Sequence, residues 1–311
     1  MMKVATITLN TAYDLVGRLD RINLGTVNAV ETLGLFPAGK GINVAKVLND
    51  LNIPVCVGGF LGKENQKDFE HMFASLKLED KFQRVDGKTR INVKLTETDG
   101  DVTDFNFSGY QITPQDWQSF VANSLEYCQQ FDLIAICGSI PKGISPKAFS
   151  DWLTQLTDLN IKVILDTNKT ALTAGLDAKP WLIKPNQHEL EELIGHELPD
   201  LSAIKQAAEV IRNKGIANVV VSLGAEGSLW LSDEGNIIAC PPKCENIVST
   251  VGAGDSMVAG LIYGLVNQLS QQDTLAFASA VSAWAVSQSN VGVTNPDLLK
   301  PILEKVEMTS I

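Results

Sequence analysis

The sequence predicts an α/β fold in which helices cover both faces of a mostly parallel β-sheet, with a small β lid added to that core. Short apolar runs typical of buried strands alternate with segments of helical periodicity along most of the chain. A hairpin pattern at residues 89–108 interrupts this alternation. We expect residues 1–311 to form a single domain, because this length suits one large core with an appendage.

The first elements predict a β-α-β unit. A strand is expected from Val4 to Leu9, where apolar and polar residues alternate, and the stretch that follows to about Leu35 is expected to form short strands and loops. Apolar residues recur at helical spacing from Ile42 to Leu51. Residues 53–59 then form an apolar run that ends in two glycines, which is typical of a buried strand.

The hairpin pattern consists of two alternating runs, residues 90–96 and 102–107. Thr98-Asp99-Gly100-Asp101 lies between them, and Asp-Gly between two alternating runs favours a hairpin turn. These strands have no obvious place in a layered core. Parts of residues 89–108, together with parts of residues 10–37, are therefore predicted to form the lid.

Regular alternation resumes downstream, with strands predicted at residues 133–137, 163–166, 181–184 and 219–222 and helices at 146–156 and 202–214. Ligands of parallel sheets bind at the carboxyl ends of the strands. Glycine and polar residues stand at those ends: Gly58-Gly59, Gly138-Ser139, Asp166-Thr167-Asn168, Lys184-Pro185-Asn186 and Ser222-Leu223-Gly224.

Composition excludes several classes of function. The net charge of -11 opposes non-specific binding to nucleic acid or to an anionic membrane. The chain begins with a strand pattern, without the apolar segment of a signal peptide, and has no apolar run of membrane-spanning length, so we expect a cytoplasmic protein. Five irregularly spaced cysteines suit reduced thiols better than disulfides, and the close pair Cys240 and Cys244 lacks neighbouring soft ligands for a metal.

The most informative segment is residues 249–256, Ser-Thr-Val-Gly-Ala-Gly-Asp-Ser, which precedes an apolar helix. Its glycines let the backbone approach a phosphate, and the free N–H groups of a helix start point at the anion. A carboxylate beside that anion can accept the proton of a substrate hydroxyl, so Asp255 is the predicted catalytic base. The alternative is that Asp255 only caps the helix.

A second glycine-rich segment, residues 34–45, resembles a P-loop up to Lys40. The resemblance ends at Gly41, because a P-loop needs Ser or Thr there to hold Mg²⁺. We therefore interpret Gly39, Gly41 and Asn43 as a substrate cradle at a helix start, with Lys40 adding positive charge. A plain glycine-rich turn is the alternative.

Four further residues are weaker candidates. Arg90 could present a cation from the lid, or be a solvated charge on a strand, and Asn92 and Lys94 share its face. Asp14, expected in a loop after the first strand, could bind sugar hydroxyls or cap a turn. Asn186 and Glu189 stand three residues apart at a helix start, where they could position a hydrated Mg²⁺.

These segments together resemble the PfkB, or ribokinase-like, carbohydrate kinases over nearly the whole chain, and within them the bacterial enzymes that act on fructose 1-phosphate. The resemblance is carried by residues 6–10, 38–48, 58–62, 89–94, 222–227 and 249–255. It implies a three-layer α/β/α ribokinase-like fold with a β lid. It also implies transfer of the γ-phosphate of ATP, with Mg²⁺, to the 6-hydroxyl of fructose 1-phosphate.

The resemblance also implies roles for individual residues. Asp255 is the base, and the amides of Gly252, Ala253 and Gly254 form the anion hole. The sugar side consists of Asp14, Gly39, Lys40, Asn43, Arg90 and Ser139. The nucleotide side consists of Lys184, Asn186, Ser222, Gly224, Gly227, Ser249, Thr250, Val251 and Asn290, with Glu189 linked to the metal through water. The chain departs from the family pattern at Ala38, where glycine is usual, and at Thr11, where relatives often carry proline.

The residues leave three matters open. Kinases for tagatose 6-phosphate or fructose 6-phosphate would share the same phosphate-transfer groups, so the sequence separates these substrates poorly. A sugar-phosphate sensor on the same fold is the non-enzyme alternative, although a sensor would be free to lose Asp255. The lid could pair with the lid of a second subunit to form a homodimer or cap its own site.

Overall fold

The computed structural model describes residues 2–98, 100–244, 247–288 and 290–311. In this part of the chain the strands are β1 (Val4–Thr8), β2 (Ala12–Leu19), β3 (Glu31–Ala38), β4 (Val55–Gly62), β5 (Glu79–Val85), β6 (Arg90–Glu97), β7 (Val102–Asn106), β8 (Leu133–Cys137), β9 (Lys162–Asp166), β10 (Leu182–Ile183), β11 (Asn218–Ser222), β12 (Ser228–Ser232), β13 (Gly235–Cys240) and β14 (Glu307–Ser310). The α-helices are α1 (Lys40–Asp50), α2 (Lys67–Ser75), α3 (Pro114–Cys128), α4 (Pro146–Thr157), α5 (Lys169–Leu176), α6 (Gln187–Ile194), α7 (Leu201–Arg212), α8 (Ala253–Val266), α9 (Gln271–Val286) and α10 (Lys300–Leu303).

A large sheet forms the centre of the molecule, in the strand order β14-β13-β12-β11-β10-β9-β8-β1-β4-β5. The strands from β5 to β11 in this order pair in parallel, as the alternation of strands and helices predicts. Strands β12, β13 and β14 extend it by antiparallel pairing. The sheet is therefore mostly parallel, with an antiparallel edge.

Apolar side chains fill both faces of this sheet. In β8, Ile134 and Ile136 pack into one core with buried residues of α3 to α7. Leu133 and Ala135, which alternate with them, pack into a second core with buried residues of α1, α2, α8 and α9. Successive strand residues point to opposite faces, so an uninterrupted apolar strand requires helices on both sides. The structure is the three-layer α/β/α arrangement that was predicted.

A smaller sheet, in the order β3-β2-β6-β7, lies outside these layers. Strands β6 and β7 pair antiparallel, which confirms the hairpin, and β2 pairs in parallel with β6 and antiparallel with β3. Asp99 of the predicted hairpin turn is outside the described residues. Strands β2 and β3 correspond to the stretch that was expected to hold short strands and loops.

Among the described residues, every helix is too short or too polar to cross a membrane.

Candidate active site

Two helices begin at glycines near the carboxyl edge of the large sheet. Gly39 precedes α1 with φ of 145°, and Gly252 precedes α8 with φ of 82°, values that favour glycine. Space is also short at both helix starts, because a Cβ at Gly41 would lie 2.6 Å from the Thr8 hydroxyl and one at Gly252 would collide with Val291. The first amides of each helix have no acceptor within the helix and are available to an anion.

Asp255 lies in the first turn of α8, after Gly252, Ala253 and Gly254, and is 5% exposed. The Asn43 side-chain amide, from the first turn of α1, donates to Asp255 Oδ2 at 2.8 Å. Burial raises the pKa of the Asp255 carboxyl, and the nearby charge of Asp166 adds to this effect. The charges of Lys40 and Lys184 and the Asn43 hydrogen bond oppose the rise without cancelling it.

A second buried carboxylate, Asp166, stands at the end of β9 between two lysines. Lys184 Nζ lies 3.2 Å from Asp166 Oδ1, and Lys40 Nζ lies 3.5 Å from Asp166 Oδ2. Burial by itself would raise the pKa of Asp166, but the two lysines more than offset it, so the pKa is lowered. Asp166 in turn raises the pKa of Lys40. The cluster therefore places the Lys40 and Lys184 side chains near the start of α8, where a Cβ at Gly254 would lie 3.4 Å from Lys184 Nζ.

A cleft runs between the small sheet and the body of the molecule. Its lining includes Asp14 and Lys94 from the small sheet, and Asn43, Lys46, Ser249, Val251 and Asn290 from the body. Asp14 was expected in a loop, but the structure places it within β2, where Lys94 of β6 binds its carboxylate at 2.7 Å. Because β2 and β6 pair in parallel, both side chains face the same side of the small sheet. Asn43 lines this cleft and also donates a hydrogen bond to Asp255, so it links the two.

Arg90 and Ser139 lie near the base of the small sheet. The Arg90 guanidinium is 3.3 Å from the carbonyl oxygen of Asn10 and 3.4 Å from those of Thr11 and Phe107. These are long contacts, so the group is weakly bound by the protein. The Asn10 side-chain amide donates to the Ser139 hydroxyl at 2.9 Å. The structure thus brings Arg90 and Ser139 to the same segment, residues 10–11.

The predicted nucleotide residues fall into two groups. In the first group, Lys184 belongs to the charged cluster, and Asn186 and Ser222 pair through an isolated β-bridge. The turn that contains Gly224 and Gly227 follows Ser222 along the chain. In the second group, Ser249 and Val251 line the cleft with Asn290, and the carbonyl oxygen of Thr250 accepts from the Ala253 amide at 3.4 Å.

Asn186 and Glu189 bind each other. The backbone N–H of Glu189 donates to Asn186 Oδ1 at 2.8 Å, and the backbone N–H of Asn186 donates to Glu189 Oε2 at 2.9 Å. This pair of bonds is a capping box at the start of α6. The spacing that suggested a metal link is therefore also explained by a helix cap. Over the described ranges, no group of three or more His, Cys, Asp or Glu residues could hold a metal ion by itself.

Two residues of the site were missed from the sequence. Asp166 was noted only as one of several polar strand ends, and its position after a buried strand was the available signal. Lys46, one helical turn after Asn43, lines the cleft, and burial lowers its pKa. Its polar character within the apolar pattern of α1 was the only indication.

Comparison with known proteins agrees with this geometry. The model of the pfkB family carbohydrate kinases matches residues 2–298. The chain is 65% identical over 311 residues to a 1-phosphofructokinase of Haemophilus influenzae, covering 100% of this chain and 99% of the relative. It is 56% identical over 306 residues to the 1-phosphofructokinase of Escherichia coli, covering 98% of each. The crystal structure of phosphofructokinase-2 from Escherichia coli in complex with potassium superimposes with a TM-score of 0.89 at 25% identity, covering 98% of this chain and 99% of that one. The chain therefore belongs to the pfkB family of carbohydrate kinases.

Proposed function

We propose that this kinase transfers the γ-phosphate of ATP to the 6-hydroxyl of fructose 1-phosphate, giving fructose 1,6-bisphosphate. The observation that carries the proposal is the buried Asp255 carboxylate, which lies in the first turn of α8, near the charges of Lys40 and Lys184. Relatives at 65% and 56% identity named 1-phosphofructokinase support the choice of phosphosugar.

In this proposal Asp255 takes the proton of the 6-hydroxyl while the oxygen of that hydroxyl forms a bond to the γ-phosphorus. The bond between that phosphorus and the β–γ bridging oxygen breaks, and the bridging oxygen leaves with ADP. Burial raises the pKa of Asp255, which makes the carboxylate a stronger base while the neighbouring lysines favour its ionised form. The Asn43 amide holds one carboxylate oxygen, so the other is free to face the hydroxyl.

The remaining residues would bind the transferred phosphoryl group, the sugar and its phosphate. The amides at Gly252, Ala253 and Gly254 suit the oxygens of the transferred phosphoryl group, and Lys40 and Lys184 flank them. Asp14, Gly39 and Asn43 would bind the sugar, with Arg90 and Ser139 near its phosphate.

The proposed contacts of the nucleotide are Asn186, Ser222, Gly224, Gly227, Ser249, Thr250, Val251 and Asn290. Magnesium usually keeps several waters and binds through phosphates, so the lack of a protein cage among the described residues fits a nucleotide-borne ion. Glu189 would contact that ion only through water. Bound Mg²⁺ would neutralise the charge that develops on the phosphates.

The substrate is tested by measuring kcat/KM with ATP and each of fructose 1-phosphate, fructose 6-phosphate and tagatose 6-phosphate. We expect the highest value for fructose 1-phosphate. A tenfold or larger preference for either other sugar would refute the substrate assignment, and no turnover of any of them would refute the proposed activity.

We further propose that the small sheet closes over the cleft as a lid and pairs with that of a second copy. It exposes large apolar side chains on the face opposite Asp14, namely Leu35, Ile91 and Phe105. An exposed apolar patch of this kind is typical of an interaction surface. Light scattering of the purified chain should give twice the 33.6 kDa monomer mass, and Phe105→Lys should give the monomer. A monomeric wild-type chain would refute the pairing.

A further inference from the structure

Two buried hydroxyl groups meet where the chain enters and leaves the small sheet. Thr11 lies between β1 and β2, and Tyr110 follows β7, and they are 0% and 4% exposed. Their hydroxyl oxygens are 3.1 Å apart, and the Thr11 amide donates to the Tyr110 oxygen at 3.1 Å. Two of the four segments that connect the small sheet to the body are thus joined directly.

Both hydroxyls also bind the body of the molecule. The Phe60 carbonyl oxygen, in β4, lies 2.8 Å from each of them, and the Leu9 carbonyl oxygen lies 3.0 Å from the Tyr110 hydroxyl. Each hydroxyl has one hydrogen, so these bonds cannot all form at once. The Thr11–Tyr110 bond is kept when the Thr11 hydroxyl donates to the Tyr110 oxygen and the Tyr110 hydroxyl donates to the carbonyl oxygen of Phe60 or Leu9. Burial raises the pKa of Tyr110 to about 12, so the group remains a donor at neutral pH.

Residues of the proposed sugar side depend on this segment for their positions. The carbonyl groups of Asn10 and Thr11 contact the Arg90 guanidinium, and the Asn10 side chain donates to Ser139. Asp14 follows Thr11 by three residues and lies within β2. Thr11 and Tyr110 are themselves buried, and these neighbours link them to the proposed sugar side.

We infer that Thr11 and Tyr110 are positioning residues for the phosphosugar, because their hydrogen bonds hold the Asn10–Asp14 segment against the body. This inference rests on the proposed sugar-phosphate kinase activity. It also assigns a function to Thr11. The backbone N–H of Thr11 donates to Tyr110, and a proline at the same position would have no N–H to donate. Removing one partner leaves a buried polar group unsatisfied and lets the segment shift, so the sugar site should loosen while the nucleotide side remains intact.

The test compares Tyr110→Phe, Thr11→Val and the double variant with the wild-type chain, using the phosphosugar that the wild type turns over fastest. We expect the KM for that phosphosugar to rise about tenfold in Tyr110→Phe, with the KM for ATP and kcat changed by less than about twofold. The double variant should be much less impaired than the sum of the single effects, because the two groups act as one unit.

Ser124→Ala provides a matched control for lost stability. The Trp152 indole N–H donates to the fully buried Ser124 hydroxyl at 2.9 Å, on the α3–α4 face of the body. This variant should lower the unfolding temperature by an amount similar to Tyr110→Phe without changing either KM. If Tyr110→Phe is destabilised like the control and keeps the wild-type KM, the network is only structural and the inference is wrong.

Hydrogen exchange separates this inference from the proposed activity. The amides of β2 and β6 should exchange faster in Tyr110→Phe than in the wild type or in Ser124→Ala. A wild-type chain without phosphosugar turnover would refute the proposed activity, and the exchange rates would still test the positioning. Unchanged exchange of the β2 amides in Tyr110→Phe would overturn the positioning inference.

Discussion

The two glycine-preceded helix starts, at α1 and α8, are built alike but carry opposite charges. Both begin after a glycine with positive φ and without a side-chain cap. The first turn of α1 carries Lys40 and no acidic residue, whereas that of α8 carries Asp255. Asn43 joins them by its hydrogen bond to Asp255.

We propose that this difference lets one pocket serve two kinds of substrate. Helix amides favour anions at both starts. At α1 the added cation strengthens that preference, which suits a phosphorylated sugar. At α8 the carboxylate opposes it, which suits a position where a proton must be removed beside the anion. The comparison predicts that changes at α8 impair turnover and that changes at α1 mainly alter its pH dependence and sugar binding.

The largest effect is expected from Asp255→Asn. The amide keeps the shape but cannot accept the proton, so kcat should fall by about 100- to 10,000-fold. Binding of an ATP analogue, measured by calorimetry, should remain within about threefold of wild type. Near-normal turnover would remove Asp255 from the role of base.

Gly252→Ala should have the next largest effect. A Cβ there would combine unfavourable φ with a clash against Val291, so the amides of α8 should move and kcat should fall by about 100-fold. Gly195→Ala is the matched control, because Gly195 has φ of 88° but a Cβ would meet nothing within 4 Å. The control should cost about 1 kcal/mol of stability and leave kcat unchanged. Equal kcat in both variants would contradict the anion-hole assignment.

Lys40→Met should shift the acidic limb of the pH–kcat profile to higher pH. The Lys40 charge lowers the pKa of Asp255, so its loss raises that pKa, and the base becomes ionised only at higher pH. Below this limb kcat is lost as the carboxylate is protonated. We also expect kcat/KM to fall about tenfold. Lys147→Met, at an exposed lysine of α4, should change neither quantity.

Asn43→Ala should shift the same limb in the same direction by a smaller amount, because its hydrogen bond lowers the pKa of Asp255 less than the charge of Lys40 does. The fall in kcat/KM should be about fivefold. A shift to lower pH in either variant would contradict the described surroundings of Asp255.

Local pattern predicted much of this fold. The strand at residues 133–137 was predicted with its observed bounds, and the helix predicted at residues 146–156 ends one residue later. Both are buried elements whose periodicity directly reflects their surroundings. The elements that were not predicted include strands β5 and β12 to β14 and helices α2, α3 and α9. Helix α9 is apolar on many sides because it packs against α8 and the sheet together, so its pattern lacks a clear polar face.

The site was less predictable than the fold. The Asn43–Asp255 bond joins residues 212 positions apart, and no local pattern reports such a contact. Asp166 was overlooked because its importance comes from Lys40 and Lys184, which reach it from two other segments. Asp14 was placed in a loop, whereas its strand pairs with β3, the next strand along the chain, and with β6, which is distant in sequence. The pairing with β6 leaves no local pattern.

The most direct test is a crystal structure with the phosphosugar and a nonhydrolysable ATP analogue, in which the distance from Asp255 to the acceptor hydroxyl is measured. We expect an Asp255 carboxylate oxygen within about 2.6–3.2 Å of that hydroxyl, with the terminal phosphate at the α8 amides. A carboxylate turned away from the hydroxyl, or a phosphate bound elsewhere, would contradict the account.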